Sequence, residues 1–169
     1  IGAKYIRDVE NGEIVYVENK KLISLKPFPL KKIRPCVFEY IYFSRPDSIL
    51  NGKCAYEYRK NFGRELAKEN SIDADLVVPV PDSGNAAAIG YSQYKKIDFD
   101  LGLIRNHYVG RTFIEPAQKI RSLGVRLKLN ANKSTIKNKR IILIDDSLVR
   151  GTTSHKICLL YTSDAADDQ

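Results

Sequence analysis

Arg140-Ile141-Ile142-Leu143-Ile144-Asp145-Asp146-Ser147-Leu148-Val149-Arg150-Gly151-Thr152-Thr153 is the stretch that decides how the rest of the chain is read. Four branched apolar residues in a row, Ile141 to Ile144, fit a strand buried on both faces of a parallel sheet. Two carboxylates follow at its carboxyl end, where open α/β sheets bind ligands. A hydroxyl, a glycine and two threonines then open a helix. Such a turn offers free backbone N–H groups, side-chain hydroxyls and a positive helix end, which together cradle phosphate. Gly151 either lets the backbone approach a ligand closely or takes a positive φ. The plain alternative is an N-capped helix after a strand, where Asp and Thr are common. The spacing is neither a Walker A loop nor a GxGxxG dinucleotide fingerprint.

A second turn of the same kind lies upstream in Val78-Pro79-Val80-Pro81-Asp82-Ser83-Gly84-Asn85. A strand ends in two prolines, and an acid, a hydroxyl and a glycine precede a helix. This suits a second anion site at a helix N-terminus, and equally an ordinary turn and cap.

Working outward, the pattern predicts a strand at Val37–Phe43 and a helix at Cys54–Glu69, with Tyr58, Phe62 and Leu66 four apart. It predicts a buried strand at Ala74–Val80, a helix at Asn85–Lys95 and a strand at Leu101–Ile104. Val109–Asn132 is a long basic stretch of weak periodicity. A strand at Ile141–Ile144 and a helix from Thr152 complete the order, which implies a parallel α/β sheet flanked by helices. Residues 1–34 hold short apolar runs, and Asn11-Gly12 is the expected hairpin turn. Pro27, Pro29 and Pro35, interleaved with Lys31, Lys32 and Arg34, read as a linker, with a domain boundary near residues 30–36.

The chain has 169 residues, about one domain's length. Its hydrophobic fraction of 43% is enough for a core and excludes global disorder. No apolar run approaches the roughly 20 residues that span a bilayer. No basic segment leads into an apolar one, so a signal peptide is not expected. Methionine is absent, even at position 1, which suggests a chain processed or cut from something longer. Lys and Arg number 28 against 20 Asp and Glu, a net +8 that suits an anionic partner or a solvated basic face. Cys36, Cys54 and Cys158 are odd in number without CxxC spacing, which argues for a reducing compartment and against a disulfide framework.

The basic stretch begins Arg105-Asn106-His107-Tyr108-Val109-Gly110-Arg111-Thr112-Phe113-Ile114 and continues through Arg121 to Arg126 and Lys128. Three readings stay open on its residues. It is a solvated basic surface, a nucleic-acid platform with Tyr108 and Phe113 stacking on bases, or a loop over a small anionic substrate.

Arg140 to Thr153 resembles the signature of the type I phosphoribosyltransferases, which bind 5-phosphoribosyl-1-pyrophosphate (PRPP). Tyr108 to Ile114 and Phe38-Glu39-Tyr40-Ile41-Tyr42-Phe43-Ser44-Arg45-Pro46-Asp47-Ser48 are similar to the glutamine PRPP amidotransferase branch of that family. The resemblance covers about residues 1–157. It implies a type I phosphoribosyltransferase-like parallel sheet preceded by a short β remnant of a glutaminase domain. Residues 1–35 would then be that remnant and its linker, 36–157 a truncated phosphoribosyltransferase domain, and 158–169 a non-native tail.

The resemblance further implies that Asp145 and Asp146 hold the ribose hydroxyls and Mg²⁺. Ser147, Arg150, Gly151, Thr152 and Thr153 would hold the 5′-phosphate. Asp82, Ser83 and Gly84 would hold pyrophosphate, with Ser83 also a Mg²⁺ ligand. Tyr108, Arg111, Arg121 and Lys128 would be catalytic, on a lid that excludes water. The implied reaction is displacement of pyrophosphate at C1 of PRPP by ammonia, drawn from glutamine in the intact enzyme, at the start of purine synthesis. Feedback purine nucleotides, a homo-oligomer and a cytoplasmic setting are implied as well, with neither nucleic acid nor membrane as partner.

Cys36 stands where some members of the family carry one ligand of a 4Fe–4S cluster; its alternative is a buried apolar thiol. His107 replaces an expected arginine, and its alternative is a surface loop histidine. Ile1 is not the N-terminal cysteine that the glutaminase nucleophile requires. Two other functions remain open: a phosphoribosyltransferase with a nucleobase acceptor, and a non-catalytic PRPP-sensing regulator on the same fold.

Overall fold

The computed structural model describes residues 2–70, 72–107, 129–148, 151, 154, 155, 157, 158 and 161. The chain divides into two compact units, Ile1–Cys36 and Val37–Gln169.

The first unit is a hairpin of β1 (Ile14–Glu18) and β2 (Lys21–Leu25), paired antiparallel from Ile14↔Leu25 to Glu18↔Lys21. Its turn is Asn19-Lys20, at φ 48° and 63°, and not the expected Asn11-Gly12. Two left-handed residues match the twist of paired strands, and only this turn lies between two runs of β-forming residues. Asn11-Gly12 closes a smaller turn instead, in which Glu13 N–H donates to Glu10 C=O at 3.1 Å. Arg7 clasps the Glu13 carboxylate at 2.6 and 2.9 Å. That guanidinium, with the Ser24 hydroxyl, holds Glu13 well below the usual carboxylate range.

In the second unit the expected strand at Val37–Phe43 is instead a π-helical turn, Glu39–Phe43. Ser44 N–H donates to Glu39 C=O at 3.2 Å. The buried Arg59 guanidinium donates to the carbonyls of Tyr40 at 2.9 Å and Ser44 at 2.7 Å. The Tyr40 ring packs edge-on against Tyr58 at 4.8 Å. These tertiary contacts outweigh the strand preference of four aromatic residues, which is itself a packing preference. A short hairpin follows, β3 (Ile49–Leu50) and β4 (Lys53–Cys54), turned by Asn51-Gly52 at φ 48° and 79°.

The centre of the unit is a parallel pair, β5 (Leu76–Pro79) and β8 (Ile141–Ile144), in register from Leu76↔Ile141 to Pro79↔Ile144. Between them in sequence lie α2 (Asn85–Lys95), β6 (Leu103–Arg105), β7 (Leu129–Ala131) and the short α3 (Lys133–Ile136). An Arg140–Asp75 clamp fixes the register of the parallel pair. The Arg140 N–H and guanidinium donate to the Asp75 carboxylate at 2.7–3.2 Å, and Asp75 N–H donates back to Arg140 C=O at 2.9 Å. The guanidinium holds the Asp75 carboxyl down at about 2.

Each face of the pair meets a separate apolar cluster. Val77, Ile142 and Ile144 pack with Ala67 of α1 (Ala55–Glu69) and with Ala88 and Tyr91 of α2 (Asn85–Lys95). Leu76, Val78 and Val80 pack with Leu103, Leu129 and Ile157, and Tyr161 lies against this second cluster. The expectation of β8 buried on both faces is met on one face only. Ile142 and Ile144 are buried, whereas Ile141 and Leu143 are half-buried.

Helices α1 and α2 cross where each lacks a side chain. A Cβ on Gly63 would lie 1.8 Å from the Ala87 carbonyl oxygen, and one on Gly90 would lie 1.9 Å from that of Lys60. Backbone touches backbone at both points, so neither neighbour is a flexible side chain able to yield. Gly63→Ala gains about 1 kcal/mol of helix propensity but forces the helices apart. The expected net loss is about 1–3 kcal/mol. Urea unfolding followed by circular dichroism should show it as a lowered midpoint, and an unchanged or raised midpoint would mean that the crossing yields freely.

Candidate functional site

Parallel pairing brings the two helix-opening turns side by side. Val80 N–H donates to Ile144 C=O at 2.8 Å, so β5 and β8 end together. Asp82-Ser83-Gly84 then turns into α2, and Gly84 N–H returns to Val80 C=O at 2.9 Å. Gly84 is required by close approach: a Cβ there would lie 2.4 Å from the Ile144 carbonyl oxygen. Gly151 has nothing within 4 Å of such a Cβ but has φ +67°, so of its two expected roles the positive φ applies. His155 N–H donates to Gly151 C=O at 2.9 Å, which starts the helix expected there.

A cleft of about 240 Å³ opens at these strand ends. Ser83, Asp145 and Asp146 line its polar side; Ile41, Phe62, Leu66 and Ala87 line its apolar side, with Arg59 between. The two acids are linked to each other. Asp146 N–H donates to Asp145 Oδ1 at 2.9 Å, and Ser147 Oγ donates to Asp146 Oδ1 at 3.1 Å. Asp146 Oδ2 is buried and has no hydrogen-bond partner. Burial, aided by the neighbouring Asp146 charge, pushes the Asp145 carboxyl up to about 6.

Hard oxygen donors, an orphaned carboxylate oxygen and a carboxylate whose charge is disfavoured by burial suit a divalent cation. No group of three or more Asp, Glu, His or Cys gathers among the described residues. Mg²⁺ needs fewer, since it is commonly held by one or two carboxylates together with substrate phosphates and water. The residues present therefore fit it.

Of the residues singled out in the sequence, Asp82, Ser83, Gly84, Asp145, Asp146 and Ser147 stand at these two strand ends, and Gly151 lies farther along, at the start of the following helix. Tyr108, Arg111, Arg121, Lys128, Arg150, Thr152 and Thr153 lie outside the described residues. His107 is exposed, in line with its surface alternative. Cys36 is exposed, so its alternative as a buried apolar thiol does not hold: its side chain has no core to enter. Two basic residues were missed. Arg59 lines the cleft from α1, and its only sequence signal was a cation within an otherwise core-facing helical row. Arg105 forms an ion pair with Asp82, a contact between distant segments that no spacing rule reveals.

A parallel strand pair flanked by helices, with an acid pair at the end of one strand, makes a phosphoribosyltransferase-like α/β fold. The amidophosphoribosyltransferase of Rhizobium etli is 56% identical over 162 residues, 93% of this chain and 33% of its own length. That of Bacillus subtilis is 46% identical over 169 residues, 99% of this chain and 35% of its own. The solved B. subtilis glutamine PRPP amidotransferase, complexed with ADP and GMP, superposes with a TM-score of 0.79 at 47% identity, covering 96% of this chain and 36% of that one. A structure described as the allosteric regulatory enzyme of purine biosynthesis gives 0.79 at 45% identity, covering 96% of this chain and 35% of that one. No family model matches the chain. It spans about a third of the length of the curated relatives it matches. Over that span the chain belongs to the amidophosphoribosyltransferases.

Asp145 takes up its proton more readily folded than free, about 6 against 3.8. Its charge therefore destabilises the fold, by a penalty that is absent below about pH 4, grows as pH rises to about 6 and is complete above that. Asp145→Asn should raise stability at pH 7 by on the order of 1 kcal/mol, since solvent screens a half-exposed carboxylate, with the gain vanishing near pH 4. Thermal melts across pH 4–8 check this. A gain that persists unchanged at pH 4 would rule out relief of the charge as its cause.

Proposed function

We propose that the chain is the synthase part of an amidophosphoribosyltransferase. It transfers ammonia to C1 of PRPP, giving 5-phosphoribosylamine and pyrophosphate, the first step of de novo purine synthesis. The observation that carries this reading is the meeting of Asp82-Ser83-Gly84 and Asp145-Asp146 at the ends of one parallel strand pair. PRPP has a phosphate, a ribose and a pyrophosphate in a row, which such a pair of turns with acids between them can hold.

In this reading Asp145 and Asp146 accept from the ribose hydroxyls and fix the sugar. The turn at Asp82-Ser83-Gly84 receives pyrophosphate through the Ser83 hydroxyl and the start of α2. Ser147, Arg150, Gly151, Thr152 and Thr153 hold the 5′-phosphate. Ser83, Asp145 and Asp146 are the residues that would hold magnesium, whose chemistry is to neutralise charge on pyrophosphate. Tyr108, Arg111, Arg121 and Lys128 stabilise the leaving group and exclude water from C1.

The cleft's apolar wall of Ile41, Phe62 and Leu66 gives the sugar an apolar surface opposite the acid pair. Residues 1–35 are read as the end of a glutaminase domain with its linker, 36–157 as the phosphoribosyltransferase domain and 158–169 as a non-native tail. A homo-oligomer in the cytoplasm, inhibited by purine nucleotides, goes with the same reading. So does a 4Fe–4S cluster in the full-length protein with Cys36 as one ligand. Among the described residues no helix is long and apolar enough to cross a membrane.

Two measurements test the assignment. Asp145→Asn combined with Asp146→Asn should abolish Mg²⁺-dependent PRPP binding in calorimetry while leaving the circular dichroism spectrum intact; undiminished affinity would remove the sugar site. Pyrophosphate release from PRPP should be driven by ammonium chloride at alkaline pH, rising as ammonium deprotonates, and should not respond to glutamine. Release driven by glutamine, or by adenine or guanine instead of ammonia, would mean that the acceptor is misassigned.

A further inference from the structure

The pyrophosphate reading leaves one charge out of place. Asp82 opens the turn at which that anion is to sit, and a carboxylate at the start of α2 competes with an incoming anion for the same backbone N–H groups and helix end. The first turn of α2 itself contains no acid. Arg105, the last residue of β6, reaches across and pairs its Nη1 with Asp82 Oδ2. The Arg105 side chain is 31% exposed, and its Nε is buried with no hydrogen-bond partner among the described residues. Its backbone is fixed by the β6–β7 ladder, where Arg105 faces Leu129. Arg105 is thus held at a rigid strand end and aimed at one carboxylate, with a donor left unused. A surface ion pair kept for stability would not need such anchoring.

We propose that Arg105 is a positioning residue, which cancels and draws aside the Asp82 carboxylate so that the turn at Ser83-Gly84 can accept a pyrophosphate group. The role is electrostatic and works through Asp82; Arg105 does not itself touch the anion. It rests on the pyrophosphate assignment of this turn. Without Arg105 the uncompensated carboxylate repels the ligand, and affinity falls about tenfold. Removing the Asp82 charge as well takes away the repulsion, so a double variant recovers what the single variant loses.

The experiment is calorimetric titration of the whole chain with inorganic pyrophosphate and Mg²⁺, on wild type, Arg105→Gln, Arg105→Lys and Arg105→Gln with Asp82→Asn. Circular dichroism confirms folding of each. Arg105→Gln should bind about tenfold more weakly. The double variant should return most of that loss, and Arg105→Lys, which keeps the charge, should stay near wild type. Binding unaffected by Arg105→Gln, equal losses in the Gln and Lys variants, or a loss that Asp82→Asn does not reverse would each overturn the inference alone; the last would put Arg105 in contact with the anion. A wild-type chain that takes up no pyrophosphate would overturn the functional reading and this inference together.

Discussion

Backbone pairing between Leu76–Pro79 and Ile141–Ile144 creates proximity that the sequence alone does not possess. Both helix-opening turns are local features, each a common cap or turn when taken alone. The parallel register makes them neighbours, because the strands end level and Val80 N–H reaches the Ile144 carbonyl. At the opposite end the Arg140–Asp75 clamp sets the same register from outside the strands. A shift of one residue would turn Ile142 and Ile144 out of the helix-facing cluster and carry Asp145 away from Ser83. Core and site are therefore specified by one ladder.

The site is maintained against its own folding energetics. Two adjacent carboxylates are half-buried, one has an unpartnered oxygen, and burial raises the proton affinity of the other. The buried clusters beside it are built of Ala, Val, Leu, Ile and Tyr and hold no second carboxylate pair among the described residues. A group costly to the fold and suited to a charged ligand is the usual mark of a binding function.

Legibility followed the range of the interactions involved. Helix α2 begins and ends where its pattern says, and the β5 and β8 segments were readable as short apolar runs ending in turn residues. These are local signals. The turn at Glu39–Phe43 departs from its sequence reading because its aromatic residues favour strands, while Arg59, 19 and 15 positions along the chain, supplies the donors for the Tyr40 and Ser44 carbonyls. The first hairpin was misplaced because Asn-Gly outranks Asn-Lys as a turn signal, although only Asn19-Lys20 has pairing partners on both sides. Asn51-Gly52 carried the same signal and does form a hairpin turn. Both acids and both glycines of the site were visible in the sequence. The Arg105–Asp82 pair was not, since only the folded strand end brings them together.

The crossing of α1 and α2 has a consequence for transplanting this chemistry. Where Gly63 meets Ala87 and Gly90 meets Lys60, the two helices abut as bare backbone, and α2 emerges directly from the Ser83-Gly84 turn. The height of that turn above the sheet is thereby set by main-chain thickness and not by side-chain choice. A graft that moved only the two turns into another α/β scaffold would inherit a helix pair with ordinary side chains at the crossing. Its α2 would ride farther from its partner, and the anion-receiving N–H groups would be displaced with it. The smallest portable unit is therefore the strand pair together with both helices, glycines included.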